Sequence, residues 1–161
     1  MFKRVLVPLD GSRFASGALP YAAEVAERFS AEVILIQVIK PATPIIDAGA
    51  PVGVSPTASA IAVEATLEAN KQKAALARRY LSGKVQALKS RHIQSSYHVL
   101  TGDAARSIME FSEREQIDLV VMTTSGKSGL KRALMGSVAD AVIRQSGKPV
   151  LVIRPETSST K

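Results

Sequence analysis

Cysteine is absent from the 161 residues, and so is tryptophan. Without a thiol, the chain cannot build a disulfide scaffold, a thiolate metal centre, an iron–sulfur cluster or a thiol nucleophile. Aromatic residues make up only 4% of it. That is too little for the stacking platform that single-stranded nucleic acid needs. No apolar run approaches the roughly 18 residues of a membrane span, so no membrane partner is expected. The opening Phe2-Lys3-Arg4-Val5-Leu6-Val7-Pro8 is interrupted too soon to serve as a signal-peptide core, which reads as a cytoplasmic chain. Histidine is scarce too. His92 and His98 stand six apart, a spacing that matches no zinc motif. No Ser/His/Asp set or paired-carboxylate site stands out.

What is present is a hydrophobic content of 46% with 22% charged residues, which excludes a disordered chain. The length suits one domain. The net charge is +7, and its placement is uneven. Seven basic residues against two acids lie between Gly126 and Lys161. A local positive excess points to an anionic partner, phosphate or nucleic acid. The lack of aromatics and of a base-reading helix makes nucleic acid the weaker of the two.

Apolar runs rich in β-branched residues recur at Phe2–Pro8, Val33–Ile39, Ser95–Leu100, Ile117–Met122 and Val150–Ile153. They read as five strands. Helical periodicity is expected over Ser16–Ser30, Ile61–Ser90, Ala104–Glu115 and from Ser137, with Ser137 as N-cap and Gly147 as the stop. Residues 41–60 hold four of the eight prolines and show neither period. They read as a loop insert with a turn near Ile45-Ile46. Strands alternating with helices predict a single doubly wound α/β domain over residues 1–155. Its five-stranded parallel sheet is covered by helices on both faces, and a flexible tail follows at 156–161.

In such a sheet the ligand crevice lies outside the carboxyl ends of the strands, where strand order reverses. The segments after the first and fourth strands, 8–11 and 123–137, are the candidates. Gly126-Lys127-Ser128 mimics the end of a P-loop, but the first glycine of that motif would fall at Val121, within a strand. There remains a Gly-rich loop ending at Gly136-Ser137 beside Lys127, Lys131 and Arg132. Its backbone N–H groups and the following helix N-terminus suit phosphate. An ordinary βα turn with an ordinary cap is the other reading, as a plain turn is for Asp10-Gly11-Ser12.

Taken together, these segments resemble the universal stress protein family over nearly the whole chain. The resemblance rests on the opening Lys-Arg-Val-Leu-Val-Pro-Leu-Asp-Gly-Ser, Ile-Gln-Val-Ile at 36–39, Gly102-Asp103-Ala104, Ile117 to Met122, and Gly147 to Val152. The family's nucleotide motif is Gly-x-x-Gly, nine residues, then Gly-Ser/Thr. Gly126 and Gly136-Ser137 match its second half, and Thr123 stands at its first glycine. The Thr123 side chain either crowds the ribose or α-phosphate or donates a hydrogen bond there.

The resemblance implies strand order 3-2-1-4-5 and a bound adenine nucleotide, ATP or AMP, with Mg2+ accompanying ATP. It implies that Pro8, Leu9 and Val38 flank and hydrogen-bond adenine, that Asp10 contacts the ribose and that Met122 packs near both. Thr123, Thr124, Gly126, Gly136, Ser137 and Val138 would line the phosphate side. It further implies a homodimer through the last strand, with Val150, Val152 and Arg154 at the interface, and an unidentified protein partner. The nucleotide would be a regulatory ligand, with ATP hydrolysis slow at most. A nucleotide-independent dimeric module of the same family is the alternative.

Overall fold

The structure, a computed structural model, describes residues 1–43, 56–124 and 135–154, with the side chains of 56–59 not described. Gly126, Lys127, Lys131, Arg132, Ile45-Ile46 and the 156–161 tail lie outside the described residues.

The chain runs β1 (Arg4–Pro8), α1 (Arg13–Ser16), α2 (Leu19–Phe29), β2 (Glu32–Ile39), α3 (Pro56–Lys89) and β3 (Ser95–Thr101). It continues with α4 (Ala104–Arg114), β4 (Leu119–Thr123), α5 (Ser137–Gln145) and β5 (Val150–Ile153). All strand pairs are parallel, in the order β3-β2-β1-β4-β5. This is the expected doubly wound α/β fold.

Two-sided burial of the strands follows from their unbroken apolar sequences. Val5, Val7, Val33, Leu35, Leu119 and Val121 turn toward one face, against Leu81, Val85 and Leu88 of α3 and the alanines of α2. Leu6, Ile34, Ile36, Val120 and Met122 turn to the other, against Ile108 and Phe111 of α4 and Val142 of α5. Helices α1 to α3, which follow β1 and β2, therefore cover one face, and α4 and α5 cover the other. The change of face coincides with the β1–β4 boundary.

Several boundaries differ from the sequence expectation. The helix expected over Ser16–Ser30 is two helices. Pro20 cannot donate an N–H to the carbonyl of Ser16, so the chain breaks at Gly17-Ala18 and restarts with Pro20 inside the first turn of α2. Ser12 caps α1, accepting the N–H of Ala15 at 3.0 Å. The insert assigned to 41–60 ends early, because α3 begins at Pro56. Proline is well suited to a first helical position, where its missing N–H has no intrahelical partner to lose. Strand β4 starts at Leu119 rather than Ile117: Gln116 has φ +50° and Asp118 serves as a clamp.

That clamp lies at the amino ends of β1 and β4. The Asp118 Oδ2 accepts the N–H groups of Lys3 and Arg4 at 2.8 and 2.9 Å, and the Asp118 N–H donates to the Arg4 carbonyl at 3.0 Å. β1 and β4 are thus fastened at their amino ends. Their ladder holds only Val5–Leu119 and Leu6–Val120, whereas β1 and β2 pair over five residues, to Pro8–Ile36. The β1–β4 ladder ends at Leu6 because Pro8, the next residue of β1 to face β4, has no N–H to donate to it.

Candidate functional site at the carboxyl ends of β1 and β4

Pro8 ends β1 half-buried, and Leu9 is buried. The Leu9 N–H donates to the Ile36 carbonyl at 2.8 Å, so it is not available to a ligand. The Pro8-Leu9 backbone therefore has only carbonyl oxygens to offer. The same bond orients β2. Backbone polar groups of successive strand residues point to alternate neighbours. The Ile36 carbonyl points to the β1 side, and the Ile39 carbonyl accepts from Gly102 on the β3 side at 3.1 Å. Val38 must therefore direct both its N–H and its C=O toward the β1 side. There β1 has already turned away, and the ladder supplies no partner. A strand end with one backbone donor and one acceptor lacking partners among the described residues is the complement of a heterocyclic amidine edge. The Val38 side chain is half-buried on the same sheet face as Met122.

Asp10 follows Leu9 and shapes the turn. Its Oδ1 accepts the Ser12 N–H at 2.9 Å, and Gly11 adopts φ +82°, which a side chain would strain. The carboxylate is thus held at the carboxyl end of β1 by the turn. Gln37 was not singled out from the sequence. Its Oε1 is buried with no hydrogen-bond partner among the described residues, and its Nε2 lies 3.6 Å from the Cβ position of Gly11. The signal was the one polar side chain within the apolar run Val33–Ile39.

On the β4 side, strand alternation turns Thr123 to the same face as Val121, away from Met122. Thr123 is 7% exposed, and its Cγ2 lies 3.9 Å from the Cβ position of Gly17, at the end of α1. The methyl group packs under α1. Thr124 continues the β5 ladder through its N–H to the Ile153 carbonyl at 2.9 Å, and its own carbonyl accepts the Gly136 N–H at 2.6 Å. That bond joins the two ends of the intervening loop. It also uses the Gly136 N–H, which was expected to face phosphate.

Gly136, with φ −63° and ψ 147°, is the N-cap of α5, and Ser137 is its first helical residue rather than its cap. The N–H groups of Ser137, Val138 and Ala139 have no acceptor within the helix. They lie at the positive end of its dipole. Ser137 is exposed and Val138 half-buried against the α4–α5 core. Asp140 in the first turn would oppose an anion, but Arg144 holds it at 2.9 Å. The structure thus brings Pro8, Leu9, Asp10, Val38, Met122, Thr124, Gly136, Ser137 and Val138 to one edge of the sheet. It sets Thr123 into the packing below. His98 lies apart on edge strand β3, its ring 5.1 Å from that of Phe111. Among the described residues no three side chains are placed to hold a metal ion, and no helix is long and apolar enough to cross a membrane.

At the outer edge of the sheet, β5 has β4 as its one strand neighbour among the described residues. Val150 and Val152 are half-buried, while Leu151 and Arg154 are exposed.

Comparison with known proteins agrees with this architecture. The sequence model described as the universal stress protein family matches residues 1–154. The universal stress protein MJ0531 of Methanocaldococcus jannaschii is 33% identical over 154 residues, 96% of this chain and 83% of that protein. The solved structure of the hypothetical protein MJ0577 of the same organism superposes with TM-score 0.80 at 26% identity, covering 98% of this chain and 99% of that one. A universal stress protein family member of Arabidopsis thaliana, solved with AMP bound, superposes with TM-score 0.62 at 16% identity, covering 99% and 95%.

Proposed function

This chain belongs to the universal stress protein family, and on that premise we propose that the carboxyl edge of its sheet binds an adenine nucleotide as a regulatory ligand. The observation that carries the proposal is a pair of backbone polar sets without partners among the described residues, the Val38 N–H and C=O on one side and the first N–H groups of α5 on the other, both at that edge.

The Val38 N–H and C=O would read the adenine edge. The side chains of Val38 and Met122 would cover an apolar face of the base. Asp10, held in its turn, would accept from the ribose hydroxyls. The Ser137 and Val138 N–H groups, with the Ser137 hydroxyl, would take the phosphates, and Gly126 would contribute from the connecting loop. A bound phosphate needs these donors because it brings charge that the helix end alone stabilises by only about 0.3–1 kcal/mol. Magnesium would enter with ATP as a counterion on its phosphates. The AMP held by the Arabidopsis relative is consistent with this class of ligand.

We read the nucleotide as a signal rather than a substrate. Among the described residues, the one carboxylate in the first turn of α5 is Asp140, which is tied to Arg144, so ATP hydrolysis is at most slow. The reading includes a homodimer through β5, whose outer edge has no strand neighbour among the described residues, with Val150, Val152 and Arg154 at the two-fold contact. A bound nucleotide would then be reported to an unidentified protein partner.

The test is calorimetric titration of nucleotide-stripped protein with ATP plus magnesium, AMP and adenosine. Micromolar binding of ATP or AMP that is lost in Asp10→Ala supports the proposal. Absence of heat, with no shift in melting temperature at millimolar nucleotide, sinks it in favour of a nucleotide-independent dimeric module.

A further inference from the structure

We propose that the groove between the overhanging half of α3 and the ends of β2 and β3 is a docking site for an acidic protein segment with apolar anchor residues. Helix α3 has 34 residues and so spans about 51 Å, far more than the sheet can cover. Its wholly buried residues, Ala77, Leu81, Val85 and Leu88, all lie in the carboxyl-terminal half. The helix runs antiparallel to the strands, so its amino-terminal half rises past their carboxyl ends. Asn70 fixes this arrangement. Its Oδ1 accepts the Ala42 N–H at 2.7 Å, and its Nδ2 donates to the Ala42 carbonyl at 3.3 Å.

A groove of about 330 Å³ lies between these elements, with Ile39, Pro41, Leu67 and Ala74 among its apolar lining and Lys71 and Arg78 beside them. Leu67 sits seven residues before Ala74 and fourteen before Leu81, on the stripe that the rest of the helix turns inward, yet it is 56% exposed. A large apolar side chain on an inward stripe, with the sheet ended beneath it, offers a contact that the described residues do not take up.

The charge around the groove selects the partner. Lys71 and Arg78 line it and no acid does, although Glu64 and Glu68 flank Leu67 along the helix. Lys71 pairs only loosely with Glu68, at 3.9 Å. Lys73, Arg78 and Arg79 have no acidic partner among the described residues. Exposed Lys40 adds to the same end of β2. An apolar floor flanked by unneutralised cations fits leucine-like side chains set between carboxylates. A nucleic acid would leave the apolar floor unused, and no aromatic ring lines the groove to stack on a base. A flat membrane surface does not enter a concavity. The volume is at the lower end of the 300–1,000 Å³ range of ligand pockets, room for one or two anchors.

The experiment is fluorescence anisotropy of the full chain with a fluorescein-labelled peptide in which glutamates surround two leucines. Saturable binding is expected, weakened at least about fivefold by the double charge reversal Lys71→Glu/Arg78→Glu. It should weaken comparably in Leu67→Gln and with a peptide whose leucines are serines. Lys148→Glu, a charge change on the opposite side of the sheet, should have no effect. These side chains are largely exposed, and an unchanged circular dichroism spectrum and melting temperature confirm the fold. Equal weakening by Lys148→Glu, or equal binding of the serine peptide, would reduce the effect to general charge attraction and overturn the proposal. So would tighter binding of duplex DNA or phosphatidylserine vesicles at the same residues. Peptide binding that emerges only after residues 44–55 are replaced by a short linker would assign the groove to the chain's own segment instead.

Discussion

Replacing Ser137 with proline isolates one backbone N–H of the proposed phosphate site without disturbing the helix that carries it. Ser137 is the first residue of α5, where proline's fixed φ is already helical and its missing N–H removes no intrahelical bond. The residue before a proline must be extended, and Gly136 already has ψ 147°. The fold should therefore tolerate the change, with stability unchanged or raised by up to about 1 kcal/mol through the unfolded chain. A hydrogen bond to a charged group contributes about 1.5–3 kcal/mol, so losing one from N–H to phosphate should weaken ATP or AMP by roughly 10- to 100-fold. Ser137→Ala keeps the N–H and removes only the hydroxyl, and its effect should be smaller. Adenosine, which has no phosphate, should bind the proline variant and the parent alike. Calorimetry with the three ligands, alongside a thermal melt, reads all of this. Unchanged ATP affinity in a folded Ser137→Pro protein would refute the assignment of phosphate to the start of α5.

Three further outcomes are expected. Thr123→Gly restores the family's glycine; because Thr123 is packed under α1, the change should cost about 2 kcal/mol from lost burial and added backbone freedom, while leaving nucleotide affinity unchanged. A tenfold gain in affinity by calorimetry would instead mean that Thr123 crowds the ligand. Gly83→Ala should stabilise by about 1 kcal/mol in chemical denaturation, since Gly83 is exposed within α3 and a Cβ there meets nothing within 4 Å; a loss would place an unseen neighbour at that point. The N–H groups of Lys3 and, to a lesser degree, Arg4 hold the Asp118 carboxyl below the ordinary range. Its contribution is therefore present above the unfolded carboxylate pKa near 4 and fades as pH falls through the lower folded value. Asp118→Asn should cost about 1 kcal/mol at neutral pH and flatten the decline in melting temperature between about pH 5 and 3, and an unaltered acid limb would place that decline in other carboxylates.

Much of the site was legible in the chain because the residues concerned act through position in a strand or turn. The strand ends at Pro8, Val38 and Met122 follow from apolar runs. Asp10-Gly11 follows from turn chemistry. What the sequence could not show was the direction of individual groups. Ser137 looked like a cap because serine caps helices well, but Gly136 took the extended position once the Thr124 carbonyl bound its N–H. Leu9 looked like a free backbone until β2 supplied the Ile36 carbonyl. Lys71 and Arg78 were plain in the sequence, but nothing local showed that they border one groove with Ile39 and Pro41.

The sequence by itself determined the class of fold. Unbroken β-branched runs must be buried on both faces, and only a parallel sheet between helix layers does that for five short strands. It determined the absence of thiol chemistry and placed the Gly-rich loop at a strand end. Tertiary structure alone decided which side of β4 Thr123 faces, that Asp118 fastens the amino ends of the β1–β4 pair, and that half of α3 stands clear of the sheet. These are long-range relations. Each depends on where a residue distant in the chain presents an acceptor, a packing surface or nothing at all, and local pattern carries no information on that.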